Sequence, residues 1–297
     1  MRLFVLPVLA ALAFVVSPAN AAVSFWEKFP TYEPDVCSSR IEAESSGAKR
    51  LTGEIGPQEL QALKGQKVLV IEAELKDGDY SGLDLSGFFF EDAVLSGRTL
   101  SGAKFNGAIL DSSVFTESDV SDADFSGAML CGPDFSEANL GKTSFKGALL
   151  VGADFSLADM AGAGFDSAKI YGGIFNSAIF DRASFRKTIL YCRPESVDLP
   201  CASAERSSFK GADFSDGALL LELDGDFSNA TLEGAAVVTE MIPRLSDSFF
   251  VRIEVAPHPL GPPQSPLTLT RQDVALLISG WDEQVVAGPG APSFESP

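Results

Sequence analysis

The sequence predicts an all-β protein whose main body is a four-sided β-helix, or β-solenoid, with short helical or irregular caps at both ends. Three observations lead to this fold class. An apolar residue falls on every fifth position without a break from Leu85 to Leu190. The residue two positions earlier is usually alanine. The residue just before each apolar centre follows a pattern at steps of twenty, which indicates four five-residue units in each coil.

The repeating unit reads alanine, polar residue, phenylalanine or leucine, serine, glycine, as in residues 123–127. On an extended chain, residues two apart point to the same side, so the alanine and the large centre can both face inward. Serine and glycine then supply the bend. A helix is excluded, because five residues advance about 500° at roughly 100° per residue and would scatter the apolar side chains around its circumference. Burial therefore requires coils stacked on one another.

At these residues the sequence resembles the pentapeptide-repeat family. The family pattern, alanine followed by aspartate or asparagine and then leucine or phenylalanine, occurs at residues 123–127, 138–140 and 153–156. The resemblance covers residues 81 to 190 without a break. It implies a right-handed, four-sided β-helix with twenty residues in each coil.

The position before each centre provides an independent test of the number of sides. Steps of twenty from Phe89 give a column that is apolar at five of six positions, whereas steps of fifteen give Phe89, Lys104, Asp119 and Asp134. Because soluble proteins rarely leave a row of large apolar side chains open to water, we expect this stripe to bind a cap segment, a second copy or a partner protein. The stripe consists of Phe89, Ile109, Met129, Leu149 and Ile189.

The first 21 residues are predicted to be a signal peptide. Arg2 precedes an apolar stretch from Leu3 to Val16, and Ala19-Asn20-Ala21 forms a small-residue cleavage site. The apolar stretch falls short of the roughly 20 residues that a membrane-spanning helix needs. We therefore expect cleavage before Ala22 and a periplasmic or secreted protein that does not span the membrane.

The next segment, residues 22–80, is expected to cap the first coil, with a short helix near Pro57 to Lys64 and a strand at Val68 to Ile71. The repeat domain is assigned to residues 81–240. Its register is interrupted by a loop insertion at 191–203 and by a slip at 222–225.

The four cysteines are expected to form two disulfides, because an even number in an exported chain is typical of disulfide bonding. Cys192 and Cys201 bracket the loop insertion, and we expect them to pair with each other. Cys131 and Cys192 lie about three coils apart, or roughly 14 Å, beyond the limit of about 7 Å between bridged Cα atoms. If both bridges form, Cys37 pairs with Cys131 and holds the N-terminal segment across the side that carries the apolar stripe.

The C-terminal segment, residues 241–287, combines a proline-rich linker at 256–266 with an amphipathic helix. The helix either docks on the solenoid or mediates dimerisation. Residues 288–297 are expected to be a disordered tail. The apolar face of the helix is formed by Val274, Leu277, Ile278 and Trp281.

Composition and motifs exclude several functions. Aspartate and glutamate total 41 against 22 lysines and arginines, so direct nucleic-acid binding is not expected. The cysteines lack the spacing of a zinc, haem or thioredoxin-like site, and the one histidine, His258, lies between prolines. The Asp-Gly-Asp turns at 77–79 and 224–226 are too short to assign as metal sites. We therefore predict no catalytic residue, no metal site and no cofactor.

The preferred hypothesis is an exported, non-catalytic scaffold or protein-binding module of the cell envelope. The main alternative is an acidic mimic of nucleic acid that binds a DNA-binding protein such as gyrase, because the family resemblance implies this role for some members. It ranks second, since gyrase is cytoplasmic and residues 81–190 carry 14 acids against 8 bases, a net charge of only −6. An enzyme acting through the loops near Cys192 and His258 ranks last.

Overall fold

A computed structural model of the chain describes residues 39–41, 44–191, 206–220, 225–233, 235–237, 248, 252–255 and 267–270. Residues 39–41 and 44 are helical. The described part contains one further helix and fourteen strands, of which twelve form a single sheet and two form a small second sheet.

The N-terminal end of the rod is closed by a strand, a helix and a second strand. These are β1 (Lys49–Ile55), α1 (Pro57–Gln61) and β2 (Val68–Leu75), and β1 pairs with β2 in parallel. The helix ends earlier than the sequence predicted, and β2 continues four residues beyond the predicted strand. Strand β1 was not predicted, because it buries only Leu51 and Ile55 and a register shift between Leu51 and Gly53 interrupts its alternation.

One side of the rod, called face 1, is a parallel stack of short strands that begins at β2 and advances by twenty residues at each step as far as β8. Phe89 aligns with Ile109, which aligns with Met129 and so on. The strands are β3 (Phe89–Glu91), β4 (Ile109–Asp111), β5 (Met129–Cys131), β6 (Leu149–Val151), β7 (Lys169–Tyr171), β8 (Ile189–Tyr191), β10 (Ala218–Leu220) and β12 (Ala236–Val237).

The other three sides are held by single bridges at the same step of twenty. Face 2 follows face 1 along the chain and aligns Asp134 with Asp154. Face 3 aligns Asp119 with Asn139, and face 4 aligns Asp124 with Ser144. Four faces in each twenty-residue coil confirm the predicted β-solenoid, which makes about eight turns.

The core is filled by the predicted centres, which are buried from Leu85 to Leu190. The centres of face 4 form a ladder of parallel phenylalanine rings with centroids 4.6 to 5.2 Å apart, from Phe105 through Phe145 to Phe214. A second ladder on face 2 runs from Phe115 to Phe175. Most contacts between the two ladders are edge-to-face, an arrangement that aromatic pairs prefer. The ladders therefore pack the rod from two opposite sides.

The last position of each unit adopts a positive φ. From residue 82 to residue 187 every fifth residue is in this left-handed region, and half of these residues are glycine. Glycine tolerates this conformation because it has no Cβ. At the other half of these positions a residue with a Cβ adopts the same conformation, which is strained for it.

Both predicted interruptions lie between face 1 and face 3. Ile179 aligns with Ser208, a step of 29, and Asp213 aligns with Thr231, a step of 18. The coil with the first interruption therefore has nine residues more than the usual twenty, and the coil with the second interruption has two fewer. Alignment resumes afterwards, with β9 (Ser207–Ser208) pairing with β11 (Gly225–Asp226) in the small sheet.

The C-terminal end continues the face 1 sheet. Strand β13 (Arg252–Val255) pairs with β12 in parallel, and β14 (Leu267–Thr270) pairs with β13 in an antiparallel manner. The linker between them and the predicted helix face lie outside the described residues. The sequence analysis did not predict either strand.

Candidate functional site

The predicted apolar stripe lies on face 1, in one column with Lys169. Phe89 and Ile109 are buried and form a cluster with Leu69 and with Ile41 of the N-terminal segment. The remaining apolar members, Met129, Leu149 and Ile189, are half-buried, and Lys169 is exposed. The first coils of the stripe are thus packed against residues of the same chain, and the use of the stripe for a partner stays a prediction.

A second column, apolar in its last four members, lies beside the stripe on face 1. The sequence analysis missed it. Val151 and Tyr171 are only 3% and 5% exposed and cluster with Cys131, while Met129, Leu149 and Tyr191 pack against them. Burial raises the pKa of Tyr171, and Tyr191 raises it further. The signal was present in the sequence, because these residues follow Cys131 at steps of twenty. The column consists of Glu91, Asp111, Cys131, Val151, Tyr171 and Tyr191.

Of the four cysteines, Cys131 is the one that lies within the described residues, at the third position of β5. It takes part in a disulfide bond. Cys37, Cys192 and Cys201 lie outside the described residues. The pairings of Cys192 with Cys201 and of Cys37 with Cys131 both remain predictions.

The outward carboxylates of the other faces have a structural role. Each accepts a hydrogen bond from the backbone N–H two residues later, as in the 2.8 Å bond from Ser156 to Asp154, and so closes the turn. In the column that was considered as an imitation of nucleic-acid phosphates, Asn139 also donates its side-chain amide to Asp119. The residues that accept such bonds are Asp79, Asp84, Asp119, Asp124, Asp134, Asn139, Asp154, Asp159, Asp213 and Asp226.

These turn hydrogen bonds favour the charged carboxylates. Bonds from Ser81 lower the pKa of Asp79, and bonds from Ser228 lower that of Asp226. For Asp124, burial acts to raise the pKa, but hydrogen bonds from Ser126 and Asn106 outweigh it. On face 1 the pKa of Glu91 moves in the opposite direction, because burial and three neighbouring acids raise it.

Charge is divided unequally along the rod. Residues 81–141 contain ten acids and two bases, a net charge of −8, whereas residues 142–191 contain four acids and six bases, a net charge of +2. A continuous ladder of negative charge, which an imitation of DNA requires, is therefore confined to the first coils.

Three apolar residues lie together at the corner between faces 2 and 3. Leu157 and Ile179 are 60% and 42% exposed, and Ile174 is half-buried. Ile174 stacks on Asp154 and Ile179 stacks on Asp159. Asp154 and Asp159 are three residues before and two residues after Leu157, so both isoleucines lie one coil away from Leu157 at the same corner. We call Leu157, Ile174 and Ile179 the corner patch. The sequence analysis missed it, because Leu157 occupies the position that the unit gives to glycine.

Within the described residues, no group of three or more histidines, cysteines, aspartates and glutamates is placed to hold a metal ion. In the turn at 77–79, Asp77 forms an ion pair with Arg98 at 3.1 Å. Asp224 and His258 are outside the described residues. No helix in the described part of the chain is long and apolar enough to cross a membrane.

The stacked coils, the inward ladders and the left-handed turn positions define a β-solenoid repeat protein. The family model for pentapeptide repeats matches residues 81–111, 108–147 and 134–176, with eight copies. Residues 81–176 of the chain, about a third of its length, thus match the pentapeptide-repeat family. A comparison with curated protein sequences gives no match.

Several solved structures are similar to the chain. QnrB1, a plasmid-mediated fluoroquinolone resistance protein, is 18% identical with a TM-score of 0.42, and the match covers 62% of this chain and 86% of QnrB1. HetL, a pentapeptide-repeat protein involved in heterocyst differentiation regulation in the cyanobacterium Nostoc sp. strain PCC 7120, is 23% identical with a TM-score of 0.32, covering 67% and 87%. A pentapeptide-repeat protein of the Arabidopsis thaliana thylakoid lumen is 29% identical with a TM-score of 0.20, covering 30% and 66%.

Proposed function

We propose that this chain is an exported, non-catalytic rod of the cell envelope that binds a partner protein, and that the corner patch anchors the contact. The observation that carries the proposal is the exposure of Leu157 and Ile179 at one corner of an otherwise mainly polar exterior. Clustered apolar side chains on a polar surface are typical of interaction sites. The fold itself does not require them, because serine, glycine and aspartate occupy the equivalent positions of other coils.

The backbone at Leu157 supports the same interpretation. Its φ is 62°, in the left-handed region, which costs roughly 1–2 kcal/mol for a residue with a Cβ. Glycine occupies half of the equivalent positions between residues 82 and 187 at no such cost. A bulky apolar residue that is both strained and exposed contributes little to folding, so a role in binding accounts for it.

Charged residues of both signs lie near the corner patch. By register, Arg206 stacks in the coil after Ser177, at the same corner as Leu157, and Arg182 lies three residues beyond Ile179. Both arginines are exposed and form no ion pair within the described residues. Asp154 and Asp159 align with Ile174 and Ile179 at the same corner, so acids and bases both flank the patch, and the contact that we expect from the partner is an apolar group.

The binding proposal can be tested by affinity capture from envelope extract with the tagged chain and its L157S/I179S variant. We expect capture of the partner to fall at least tenfold, on the order of the loss of one binding hot spot. The control is V94S, which changes another exposed apolar residue, 37% exposed, near the other end of the rod. Equal capture by all three proteins would refute the assignment of the corner patch.

A second variant tests whether Leu157 is retained at the expense of stability. L157G removes the backbone strain, so we expect the free energy of unfolding to rise by roughly 0.5–1 kcal/mol while partner capture falls. The matched control is G127L, at an equivalent turn position with φ 66° where an added Cβ meets no atom within 4 Å. It should lose stability and keep binding. Chemical denaturation measures both changes, and a destabilised L157G would contradict the argument.

Export is tested separately by cell fractionation and by the mass of the mature protein. We expect a periplasmic or secreted protein that begins at Ala22. Uncleaved protein confined to the cytoplasm would overturn the export proposal and would favour the alternative of an acidic mimic that acts on a DNA-binding protein.

A further inference from the structure

The N-terminal segment meets face 1 at its first coils. Ala48, just before β1, packs against the cluster formed by Phe89, Ile109 and Ile41. Lys67 lies over the ring of Phe89, 6.0 Å from its centroid. Traced backwards from β1, the chain therefore lies on the outer side of face 1, where Ile41 and Ala48 pack in the same cluster.

The position of Ile41 predicts where the preceding residues lie. Ile41 is helical and belongs to the cluster that includes Ile109 in β4, and Met129 in β5 packs against the same cluster. Cys37 is four residues earlier, a distance of about 6 Å if the helix continues at 1.5 Å per residue. Neighbouring strands are about 4.8 Å apart, so four residues are enough to reach from the level of β4 to that of β5. The outward residue at the end of β5 is Cys131.

The alternative partner at the far end of face 1 is too distant. Cys192 directly follows Tyr191 in β8, and β8 lies three strands beyond β5 in the sheet. Three steps of about 4.8 Å make roughly 14 Å, whereas the Cα atoms of a disulfide lie within about 7 Å. Because Cys131 is disulfide-bonded, Cys192 is too distant and Cys37 is only four residues from Ile41, we take Cys37 as its partner and leave Cys201 as an alternative that the peptide map below tests.

We propose that a Cys37–Cys131 disulfide fastens residues 22–38 over the second column of face 1, so that the chain supplies its own cover for Val151 and Tyr171. Beyond Cys37 the remaining residues, 22–36, span about 22 Å even as a helix, which exceeds the 14 Å from β5 to β8. They include four aromatic residues that suit an apolar surface, namely Phe25, Trp26, Phe29 and Tyr32.

The bond forms by exchange with a disulfide-bearing oxidant. The thiolate of one cysteine attacks the oxidant, releases one thiol and forms a mixed disulfide, and the second cysteine then displaces the other thiol. Two protein thiols become one disulfide, and one oxidant disulfide becomes two thiols. In the cell, this oxidant is available only if the protein is exported, and in that respect alone the inference rests on the proposed function. With purified protein, oxidised glutathione takes the place of the cellular oxidant.

Peptide mapping distinguishes the pairings. After oxidation by glutathione, free thiols are alkylated in denaturant and the chain is cut with trypsin without reduction. Cys37 falls in the peptide 29–40, Cys131 in 105–142, and Cys192 and Cys201 together in 188–206, because Pro194 blocks cleavage after Arg193. We expect 29–40 linked to 105–142, and 188–206 separate from both. A link between 105–142 and 188–206 would overturn the proposal, whatever the location of the protein in the cell.

The cover is tested with an apolar fluorescent dye and by thermal melting. We expect C37S and C131S to bind more dye than the unmodified chain and to melt about 10 °C lower. The bond closes the long loop from residue 37 to residue 131, and a disulfide that closes a long loop strongly restricts the unfolded chain. The matched control is C192S, which should bind no additional dye. The proposed cover is wrong if the peptide map shows the Cys37–Cys131 link but reduction changes neither dye binding nor the melting temperature. The disulfide would then exist without holding residues 22–38 over the second column.

Discussion

Face 1 and face 3 lie on opposite sides of the same coils, and they differ in most of their outward positions. Face 1 presents two columns of largely apolar side chains, several of them buried, whereas face 3 presents Asp119, Asn139 and Asp159, whose side chains close turns. Their inward centres are alike, apolar and buried. The difference teaches that inward residues determine the solenoid, while outward residues determine what each side can contact.

The largest expected effect is one that the two faces share. Leu150 of face 1 and Leu140 of face 3 are both fully buried centres. Replacing either with alanine leaves a cavity, so we expect each variant to lose about 2–5 kcal/mol in the free energy of unfolding, measured with denaturant. A loss at one face only would mean that the core is not shared equally by the two sides.

An outward acid should separate the faces. Val151 on face 1 is buried, and an aspartate there is an unpaired charge away from water, so V151D is expected to lose about 2 kcal/mol or more in stability. The matched variant on face 3 is I179D, where the side chain is exposed and the expected change is within about 0.5 kcal/mol. Equal melting temperatures for V151D and I179D would show that face 1 needs no cover.

The turn acceptors provide a smaller test. D119A removes the acceptor for the N–H of Ser121, at 3.1 Å, and for the side chain of Asn139, at 3.0 Å. We expect it to lose about 1 kcal/mol in the free energy of unfolding, the usual value for a hydrogen bond. K169A on face 1 removes an exposed side chain and should be nearly neutral, which provides the control.

The smallest effect concerns pH. The pKa values of Asp79, Asp84, Asp124 and Asp226 are lowered in the folded chain by hydrogen bonds that outweigh any burial. Their stabilisation is present above the ordinary aspartate value of about 3.9 and is lost as pH falls through the lower folded values. Changing all four to asparagine keeps a turn acceptor, as Asn139 demonstrates, but removes the titration. Melting temperatures between pH 5 and about pH 2 should then fall less steeply than in the unmodified chain.

The sequence predicted the core well, because an inward position has one physical requirement and repeats it every five residues. The step of twenty also placed the apolar stripe on one face. It did not reveal the second column, since Cys131 alone drew attention there and Val151 and Tyr171 occupy a position that other faces give to turns. Strand β1 was missed because only Leu51 and Ile55 are buried. The corner patch depends on alignment across coils, which the unit pattern does not express.

The nine residues inserted between Ile179 and Ser208 have a consequence for how the rod assembles and breaks. Most backbone hydrogen bonds of the solenoid join residues about twenty apart, and the others mainly close turns between residues three apart, so each coil forms on the one before it and order can spread from coil to coil. At the insertion, closure requires a longer loop and costs more entropy. Under tension or in mild denaturant, the rod should therefore part at this coil, and the coils before it would remain wound after the last coils have opened.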